Sequence, residues 1–400
     1  MGHKGKRTST DNRMESILRI YRLDGYWARK GQLRRHFAQL SLSPDAINMN
    51  STVRYSAEAL QDFAKRLLIK LGMEEVKAQA VASTLVDGDL MGHDTHGLAL
   101  LPGYIGEIER ASMTCSGEPE VLSDRGASLL WDGRRLPGPW LVWSGIETLA
   151  PRAREYGSAT LVIRRSHHIA CLASYLEKAT ADGFMILLSS SDPAVQSVAP
   201  HGGTRSVFTP NPIAAGIPTS DTPFLIDISA STVTNGMTAR RHKAGEHFEE
   251  ACFLDAKGQP TGDPGVLSTE PPGSILPVGG MTWGHKGFGL ALLIEAMTGG
   301  LAGHGRADPA DGWGATVFLS LYDPAAFGGQ DAFARQMDWL GDACRSNPPR
   351  PGTSAVRMPG DRGLSLKREQ LRDGITLHPT IPPALEACAQ RHGIALPAAC

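Results

Sequence analysis

Two segments hold histidine side chains where a proton could pass to or from a substrate oxygen. The first is residues 92–97, Gly-His-Asp-Thr-His-Gly, between two stretches with helical apolar spacing. We expect Thr95 to cap the second helix and place His96 in its first turn, where the helix dipole lowers the histidine pKa. A neutral His96 suits general acid/base catalysis, and the same helix end attracts a carboxylate. The alternative is that Asp94 or Thr95 only caps a helix and that the histidines are solvated.

The second segment, Ser-His-His-Ile-Ala at 166–170, joins a predicted strand to a predicted helix. Its neighbouring histidines, His167 and His168, point in different directions and have no third ligand nearby in the sequence. We therefore predict no metal site here. A ligand held at the N-terminus of the following helix is the favoured interpretation, and an ordinary polar loop is the alternative.

Two charged residues lie in otherwise apolar surroundings. Lys286 belongs to a glycine-rich loop, 279–289, that leads into an apolar helix predicted over 290–302. A lysine at a helix N-terminus opposes the dipole, and a bound anion would remove that conflict. The alternative is a lysine in water. Asp227 interrupts a predicted apolar strand, 224–228, where it could orient a histidine, hold a ribose hydroxyl or simply end the strand.

The composition excludes several classes of protein. The 40 basic and 41 acidic residues leave a net charge of −1, which attracts neither nucleic acid nor an anionic membrane. No uncharged apolar run reaches the roughly 18 residues that a membrane span requires. The six cysteines show no CxxC spacing, so we expect no metal site and reduced thiols in the cytoplasm. No Gly-x-Gly-x-x-Gly follows a predicted strand, so a Rossmann fold is not expected.

Helical periodicity at both chain ends flanks a middle region of short apolar runs. The predicted helices before the middle region are 56–71, with Ser56 as N-cap, 74–91 and 98–110. In the middle region the predicted strands are 128–131, 159–164, 185–190 and 224–228, with helices at 145–156 and 170–182. Helices return at 331–345 and 383–392.

Residues 1–50 differ in charge from the rest of the chain. They carry ten Lys or Arg against four Asp or Glu, whereas the remainder has 30 against 37. We interpret them as a disordered tail, or as an upstream start with Met49 as the true first residue, rather than as a mitochondrial presequence. Deleting residues 1–48 should therefore leave folding and activity intact.

Taken together and in order, these motifs resemble the malate/L-lactate dehydrogenase family, which is unrelated to the Rossmann-fold lactate dehydrogenases. That family also includes ureidoglycolate, sulfolactate and diketogulonate dehydrogenases and the reductases of cyclic imino acids such as piperideine-2-carboxylate. The resemblance covers roughly residues 54–395. The matching segments are GHDTHG (92–97), LPGY (101–104), SHHIA (166–170), APHGG (199–203), TPNPIA (209–214), IDISAS (226–231), LPVGG (276–280), HKGFGLAL (285–292) and RMPGDR (357–362).

The resemblance implies an α+β fold with a non-Rossmann NAD(P)-binding domain. A helical domain would be built from residues 54–120 and 321–400, around a central α+β cofactor-binding domain at 121–320. It implies a homodimer that transfers a hydride between NAD or NADP and a small 2-oxo or 2-hydroxy carboxylic acid. One alternative is a reductase of a cyclic imino acid, because the doubled histidine followed by Ile169-Ala170 is more similar to those enzymes. Another is a non-catalytic binding protein on the same fold.

Residue by residue, the resemblance implies a catalytic relay and the site around it. His96 is similar to the family's general acid/base, with Thr95 where serine is common and Asp227 as the third member. His168 matches the histidine beside substrate and nicotinamide, and Lys286 matches the lysine of a Lys-Gly motif. The positions that align with cofactor-contacting segments are His168, Ile169, Ala170, Asp192, Ile226, Asp227, Ile228, Leu276, Pro277, Lys286, Met358, Pro359 and Gly360.

One departure from the family concerns the substrate carboxylate. Family members often have Arg where this chain has Leu100, four residues after His96. Residues four apart share a helix face, so we expect Leu100 to border the substrate pocket and make it more apolar. Dicarboxylates should then be poor substrates. The alternative is that Leu100 packs in the core with Leu98 and Leu101.

A basic run leaves the choice between NAD and NADP open. Arg240, Arg241 and Lys243 could meet the 2′-phosphate of NADP, and the alternative is a solvated turn.

Overall fold

Three helices open the part of the chain that the computed structural model describes, residues 53–309 and 312–400. The first begins at Ser56, whose Oγ accepts a hydrogen bond from the Ala59 amide at 3.3 Å, as the sequence predicts. The third is preceded by a 3-10 turn. The helices are α1 (Ala57–Lys70), α2 (Glu75–Leu90) and α3 (Leu101–Glu109), and the 3-10 turn is Leu98–Leu100.

Ten strands of the described residues form two sheets. In chain order they are β1 (Glu120–Asp124), β2 (Ser128–Asp132), β3 (Ser158–Ser166), β4 (Met185–Ser191), β5 (Pro212–Ile217), β6 (Phe224–Ser229), β7 (Phe253–Leu254), β8 (Pro260–Thr261), β9 (Ser274–Ile275) and β10 (Ala315–Tyr322). The large sheet has the order β1-β2-β3-β10-β4-β5-β6, and the small one β8-β7-β9. Only β2 and β3 of the large sheet run parallel. The open parallel sheet of a Rossmann domain is absent from the described residues.

The central strand of the large sheet, β10, is buried on both faces. Val317, Leu319 and Leu321 of β10 are fully buried, and they share a core with the long helix α4. Three further helices accompany the sheets. The helices of this region are α4 (Gly138–Tyr156), α5 (Leu176–Ala181), α6 (Asn235–Ala244) and α7 (Gly280–Glu295).

The last part of the chain returns to the first helices. Tyr55 pairs with Ile375 through two backbone hydrogen bonds, of 3.0 and 2.8 Å. Ile381 and Leu385 are buried in the same core as α1, α2 and α3, which joins the two chain ends in one helical body. The C-terminal helices are α8 (Gln330–Arg345), α9 (Asp361–Asp373) and α10 (Ile381–His392).

Two sequence-based predictions about local structure are wrong. The glycine-rich loop predicted over 279–289 is already helical from Gly280, so Lys286 lies almost two turns inside α7 and not at its N-terminus. The helix predicted over 98–110 begins as a 3-10 turn, and its N-cap position is held by Gly97 rather than Thr95. The sequence patterns do not predict the helices α6 and α9 or the strands β1, β5, β7, β8, β9 and β10.

Two further expectations concern the chain ends and membranes. The basic extension at 1–50, and its expected dispensability, lie outside the described residues. Across the described ranges, no helix is both long and apolar enough to cross a membrane.

Candidate active site

The side chain of Asp89 holds the loop between α2 and the 3-10 turn through a hydrogen bond. This buried carboxylate accepts a hydrogen bond from the Leu98 amide at 2.7 Å. A side chain at Gly97 would overlap the Asp89 carboxyl, so glycine is required there. Burial raises the pKa of Asp89 to about 8, with the Asp94 charge adding to the shift. The loop that contains His96 therefore rests on a carboxyl group that is largely neutral at physiological pH.

His96 is half-buried in this loop and lies next to its predicted partner. Its Nδ1 is 2.9 Å from the hydroxyl of Thr95. Burial lowers the pKa of His96 to about 4, and the nearby His93 and Arg240 lower it further. The predicted direction of the shift is correct, but the predicted cause is wrong, because His96 precedes the helical turn and Thr95 caps no helix.

A second histidine faces His96 from the end of β3. The rings of His96 and His168 are nearly parallel, 25° apart, with centroids separated by 6.1 Å. Nδ1 of His168 accepts a hydrogen bond from the Ala170 amide at 3.3 Å and is 2.9 Å from the Tyr104 hydroxyl. Because a backbone amide can only donate, the neutral ring carries its proton on Nε2. The ring of Trp313 packs on His168 at 4.9 Å and fixes its plane.

The residues beside His168 support it from the core. His167 is fully buried, and its Nε2 lies 3.6 Å from a carboxylate oxygen of Glu107 on α3. Ile169 and Ala170 are almost completely buried, and the Ile169 carbonyl accepts a hydrogen bond from the Tyr175 hydroxyl at 2.6 Å. Their side chains therefore pack in the interior, and only their backbone is placed near the two histidines.

Asp227, the predicted third member of the relay, lies beside His93 rather than in a hydrogen bond with His96. One oxygen of its carboxylate accepts from the Ala173 amide at 2.9 Å, and the Cys171 sulfur is 4.0 Å from that oxygen. Burial raises the pKa of Asp227, and the His93 charge opposes this rise. The sequence-based prediction of Asp227 as a catalytic residue stays a prediction.

The same three residues form one group of possible metal ligands. A ligand atom of each of His93, Cys171 and Asp227 lies within 4.8 Å of the others, which is wider than the donor spacing around a bound zinc ion. The absence of a metal site therefore also stays a prediction.

Arg240, one of the basic residues that could meet the 2′-phosphate of NADP or lie in a solvated turn, has Asp94 as its neighbour. One guanidinium nitrogen, Nη1, donates to both carboxylate oxygens of Asp94 at 2.9 Å. Arg241 points elsewhere, because its guanidinium stacks on Phe248 and donates to the His247 carbonyl. The sequence signal for Arg240 was its presence in a basic run, and nothing in that run indicated the Asp94 contact.

Most of the positions aligned with cofactor contacts meet around β6. The Leu225 amide donates to the Pro359 carbonyl at 2.9 Å, which fixes the segment 358–360 beside β6. Just after β6, the Thr232 amide donates to the Leu276 carbonyl at 2.9 Å. Ile228 is 51% exposed between these segments. The predicted positions in this group are Ile226, Asp227, Ile228, Leu276, Pro277, Met358, Pro359 and Gly360.

Two predicted cofactor residues lie in other surroundings. Lys286 is exposed, with its amine 5.2 Å from the centre of the Trp283 ring. Asp192 is buried after β4, where one carboxylate oxygen accepts from the Ala194 amide at 2.9 Å. Burial raises the pKa of Asp192 to about 7. Among the described residues, no hydrogen bond or ion pair joins either side chain to the β6 segments.

Comparison with known proteins agrees with this arrangement of residues. A sequence profile described as malate/L-lactate dehydrogenase matches residues 55–386. The chain belongs to the malate/L-lactate dehydrogenase family. It is 30% identical to an L-lactate dehydrogenase of Cupriavidus necator over 355 residues, which are 87% of this chain and 100% of the relative.

Solved structures show the same relationship. Malate dehydrogenase from Pyrococcus horikoshii superimposes with a TM-score of 0.77 at 25% identity, covering 86% of this chain and 96% of that one. Δ1-Piperideine-2-carboxylate reductase from Pseudomonas syringae pvar. tomato superimposes with a TM-score of 0.73 at 25% identity, covering 84% and 99%. The predicted α+β fold and family are confirmed, and the chain is a nicotinamide-dependent oxidoreductase of 2-hydroxy and 2-oxo acids.

Proposed function

We propose that this dehydrogenase interconverts a small 2-hydroxy acid and its 2-oxo acid at the face between His96 and His168. The observation that carries the proposal is the pair of opposed imidazoles, one with a strongly lowered pKa. Neutral His96 takes the hydroxyl proton during oxidation and returns it to the carbonyl oxygen during reduction. His168, with its proton on Nε2, donates a hydrogen bond to the same substrate oxygen or to the carboxylate. A nicotinamide held beside this face would supply the hydride chemistry.

The residues around β6 fit a dinucleotide. Exposed Ile228 offers an apolar surface on β6. Backbone hydrogen bonds join the segment 358–360 to Leu225 and the segment 276–277 to Thr232, before and after Ile228 in the chain. Nearby, Asn235 begins α6, and its buried side-chain oxygen has no hydrogen-bond partner among the described residues. An amide oxygen of this kind accepts a hydrogen bond from an amide or hydroxyl donor, and a nicotinamide dinucleotide carries both. NAD or NADP would therefore be held here.

The decisive experiment is a substrate panel followed at the nicotinamide absorbance band. Each of NADH and NADPH is combined with small 2-oxo monocarboxylates, 2-oxo dicarboxylates and cyclic imino acids. We expect turnover of at least one small 2-oxo monocarboxylate. Binding of neither cofactor, measured by its fluorescence, would instead indicate a non-catalytic binding protein and contradict the proposal.

A second candidate function is reduction of a cyclic imino acid. Two observations favour it: the overlap with the piperideine-2-carboxylate reductase and the doubled histidine followed by buried Ile169 and Ala170. A cyclic imine presents a planar C=N bond where a 2-oxo acid presents C=O, so the same histidines would face the reacting atoms. In the panel, a kcat/KM for the imine well above that of every 2-oxo acid would support this candidate.

We further propose that the protein is a cytoplasmic homodimer. An exposed apolar face on α7 supports the dimer, with Met281 and Leu292 each about half exposed. The six unpaired cysteines are consistent with a reducing compartment.

A further inference from the structure

We propose that Arg240 is the binding site for the substrate's carboxylate group, which Leu100 cannot grip. This inference rests on the proposed function and names one contact within it. Leu100, four residues after His96, is apolar and cannot form an ion pair with a carboxylate, so the carboxylate needs a cation elsewhere. Leu100 itself is half-buried against the helical core.

The position of Arg240 follows from the geometry of α6. Thr234 caps this helix by accepting a hydrogen bond from the Met237 amide. Gly236, in the first turn, lies so close to Thr95 that an added Cβ would be 3.1 Å from the Thr95 Cβ. Arg240 is four residues later and therefore on the same helix face. The helix thus brings one cation to the loop that holds His96.

The guanidinium of Arg240 is oriented by Asp94, and part of its hydrogen-bonding capacity is left for a ligand. Only Nη1 is engaged by Asp94, and no partner of Nε or Nη2 is found among the described residues. The side chain is 25% exposed, so an incoming anion can reach it. A carboxylate can receive two parallel hydrogen bonds from the remaining edge of the guanidinium. Asp94 holds the long side chain in place in advance, which reduces the entropy lost when substrate binds.

Electrostatic effects on neighbouring groups indicate that Arg240 lies close to His96. The positive charge of Arg240 helps to lower the pKa of His96 and the pKa of His378. The same charge opposes the rise in the pKa of Asp89. Other titratable groups that face this loop are His93, Asp94, Asp89, His168 and His378. A carboxylate bound to Arg240 therefore lies within electrostatic range of His96, as a 2-oxo acid requires.

The test uses oxamate, an unreactive monocarboxylate, and the full-length protein saturated with its reduced cofactor. Oxamate binding is measured from the fluorescence of the bound cofactor, which needs no turnover. Arg240→Gln should weaken oxamate binding by about tenfold to a hundredfold, the range for a lost charged hydrogen bond in a partly buried site. The cofactor Kd should change little. Arg241→Gln, the matched control on the same helix, should leave oxamate binding unchanged because Arg241 faces Phe248.

A second variant separates binding from a purely structural ion pair. Asp94→Asn removes the same ion pair but keeps the guanidinium, so oxamate binding should stay within about threefold of the wild-type value. Equal weakening in Asp94→Asn and Arg240→Gln, or oxamate affinity unchanged in Arg240→Gln, would overturn the inference. If Arg240→Gln does not fold, Arg240→Lys replaces it and should still weaken oxamate because lysine lacks the fork. Absence of cofactor binding in the wild type would instead contradict the proposed function.

Discussion

The protonation state of His96 decides which half-reaction the free enzyme is prepared for. A pKa of about 4 leaves the imidazole neutral at physiological pH, ready to remove a hydroxyl proton. Reduction of the 2-oxo acid needs a protonated His96, so binding of the substrate must favour protonation of this ring. An anionic carboxylate bound beside His96 would stabilise imidazolium, so the substrate itself would prepare the acid form.

Removing the imidazole should abolish most of the activity. We expect His96→Ala to lower kcat by about a hundredfold or more, the usual scale for general acid/base catalysis. The measurement is steady-state turnover with saturating cofactor, with thermal melting as the control for folding. Near-normal kcat in a folded variant would show that His96 is not the acid/base.

The pH profile should report the buried histidine. For oxidation of the 2-hydroxy acid, kcat/KM reports ionisations of the free enzyme. Because the base form is lost only as pH falls through about 4, the His96 contribution should be constant from about pH 5.5 to 8. A histidine with an ordinary pKa would give a loss near 6.5. An inflection near 6.5 that disappears in His96→Gln would contradict this expectation.

We still expect Leu100 to influence substrate specificity, although the argument that it shares a helix face with His96 is wrong. His96 precedes the 3-10 turn, so the two residues do not share one face of a continuous helix. Leu100 is nevertheless half-buried rather than sealed in the core as Leu98 and Leu101 are. We expect Leu100→Arg to raise kcat/KM for a dicarboxylate relative to a monocarboxylate by about tenfold, the scale of one charged hydrogen bond. An unchanged ratio would remove Leu100 from the pocket.

At the scale of the elements, Asp89 near the end of α2 affects both the stability of the fold and the loop that contains His96. Asp89 has a raised pKa of about 8 against an unfolded value near 3.8, so the folded state holds its proton more strongly. Its contribution to stability is therefore present at low pH and is lost as pH rises from about 4 to about 8, by at most about 1.4 kcal/mol per pH unit.

Asp89→Asn should remove this dependence while keeping an acceptor for the Leu98 amide. The variant should gain stability relative to the wild type between pH 5 and pH 8. Urea unfolding of both proteins at the two pH values measures the difference. Parallel changes in the two proteins would show that Asp89 titrates normally in the fold.

Local patterns in the sequence predicted several of the helices and strands one by one. The helix capped by Ser56 and the strand that includes Met185 follow from apolar spacing and capping alone. The sequence patterns did not predict the central strand β10, whose place in the sheet depends on pairing with β3 and β4, both far away in the sequence. The glycines at 284 and 287 suggested a loop, but both are helical, and their missing side chains leave room for His201 and for the Val278 backbone.

At the scale of the whole molecule, the site depends on contacts that no local pattern contains. Asp227 comes from the edge strand β6 and reaches His93 of the helical body, and Arg240 reaches Asp94 in the same way. The sequence shows which residue types are present. Their pairing, Asp227 with His93 and Arg240 with Asp94, depends on how the core of the helical part packs against the core of the central part. We propose the division into a helical body, 54–120 with 321–400, and a central body, 121–320, on the same grounds.

The last prediction concerns how two copies of the chain associate. On α7, Met281, His285 and Leu292 lie on one exposed face, and Leu292 is 49% exposed. Apolar side chains aligned along a helix in this way are typical of a surface that another chain covers. We expect the wild type to be a dimer by light scattering and Leu292→Glu to shift it toward monomer, because a charge would be buried without a partner.

The matched control is Trp339→Glu on another helix, α8, where the indole is 68% exposed. That variant should remain dimeric with unchanged melting temperature. If Leu292→Glu stays dimeric and Trp339→Glu does not, the two copies associate through α8 instead. Because the segments 276–277 and α7 are continuous in the chain, loss of the α7 contact should also raise the cofactor Kd, whereas a contact through α8 should not.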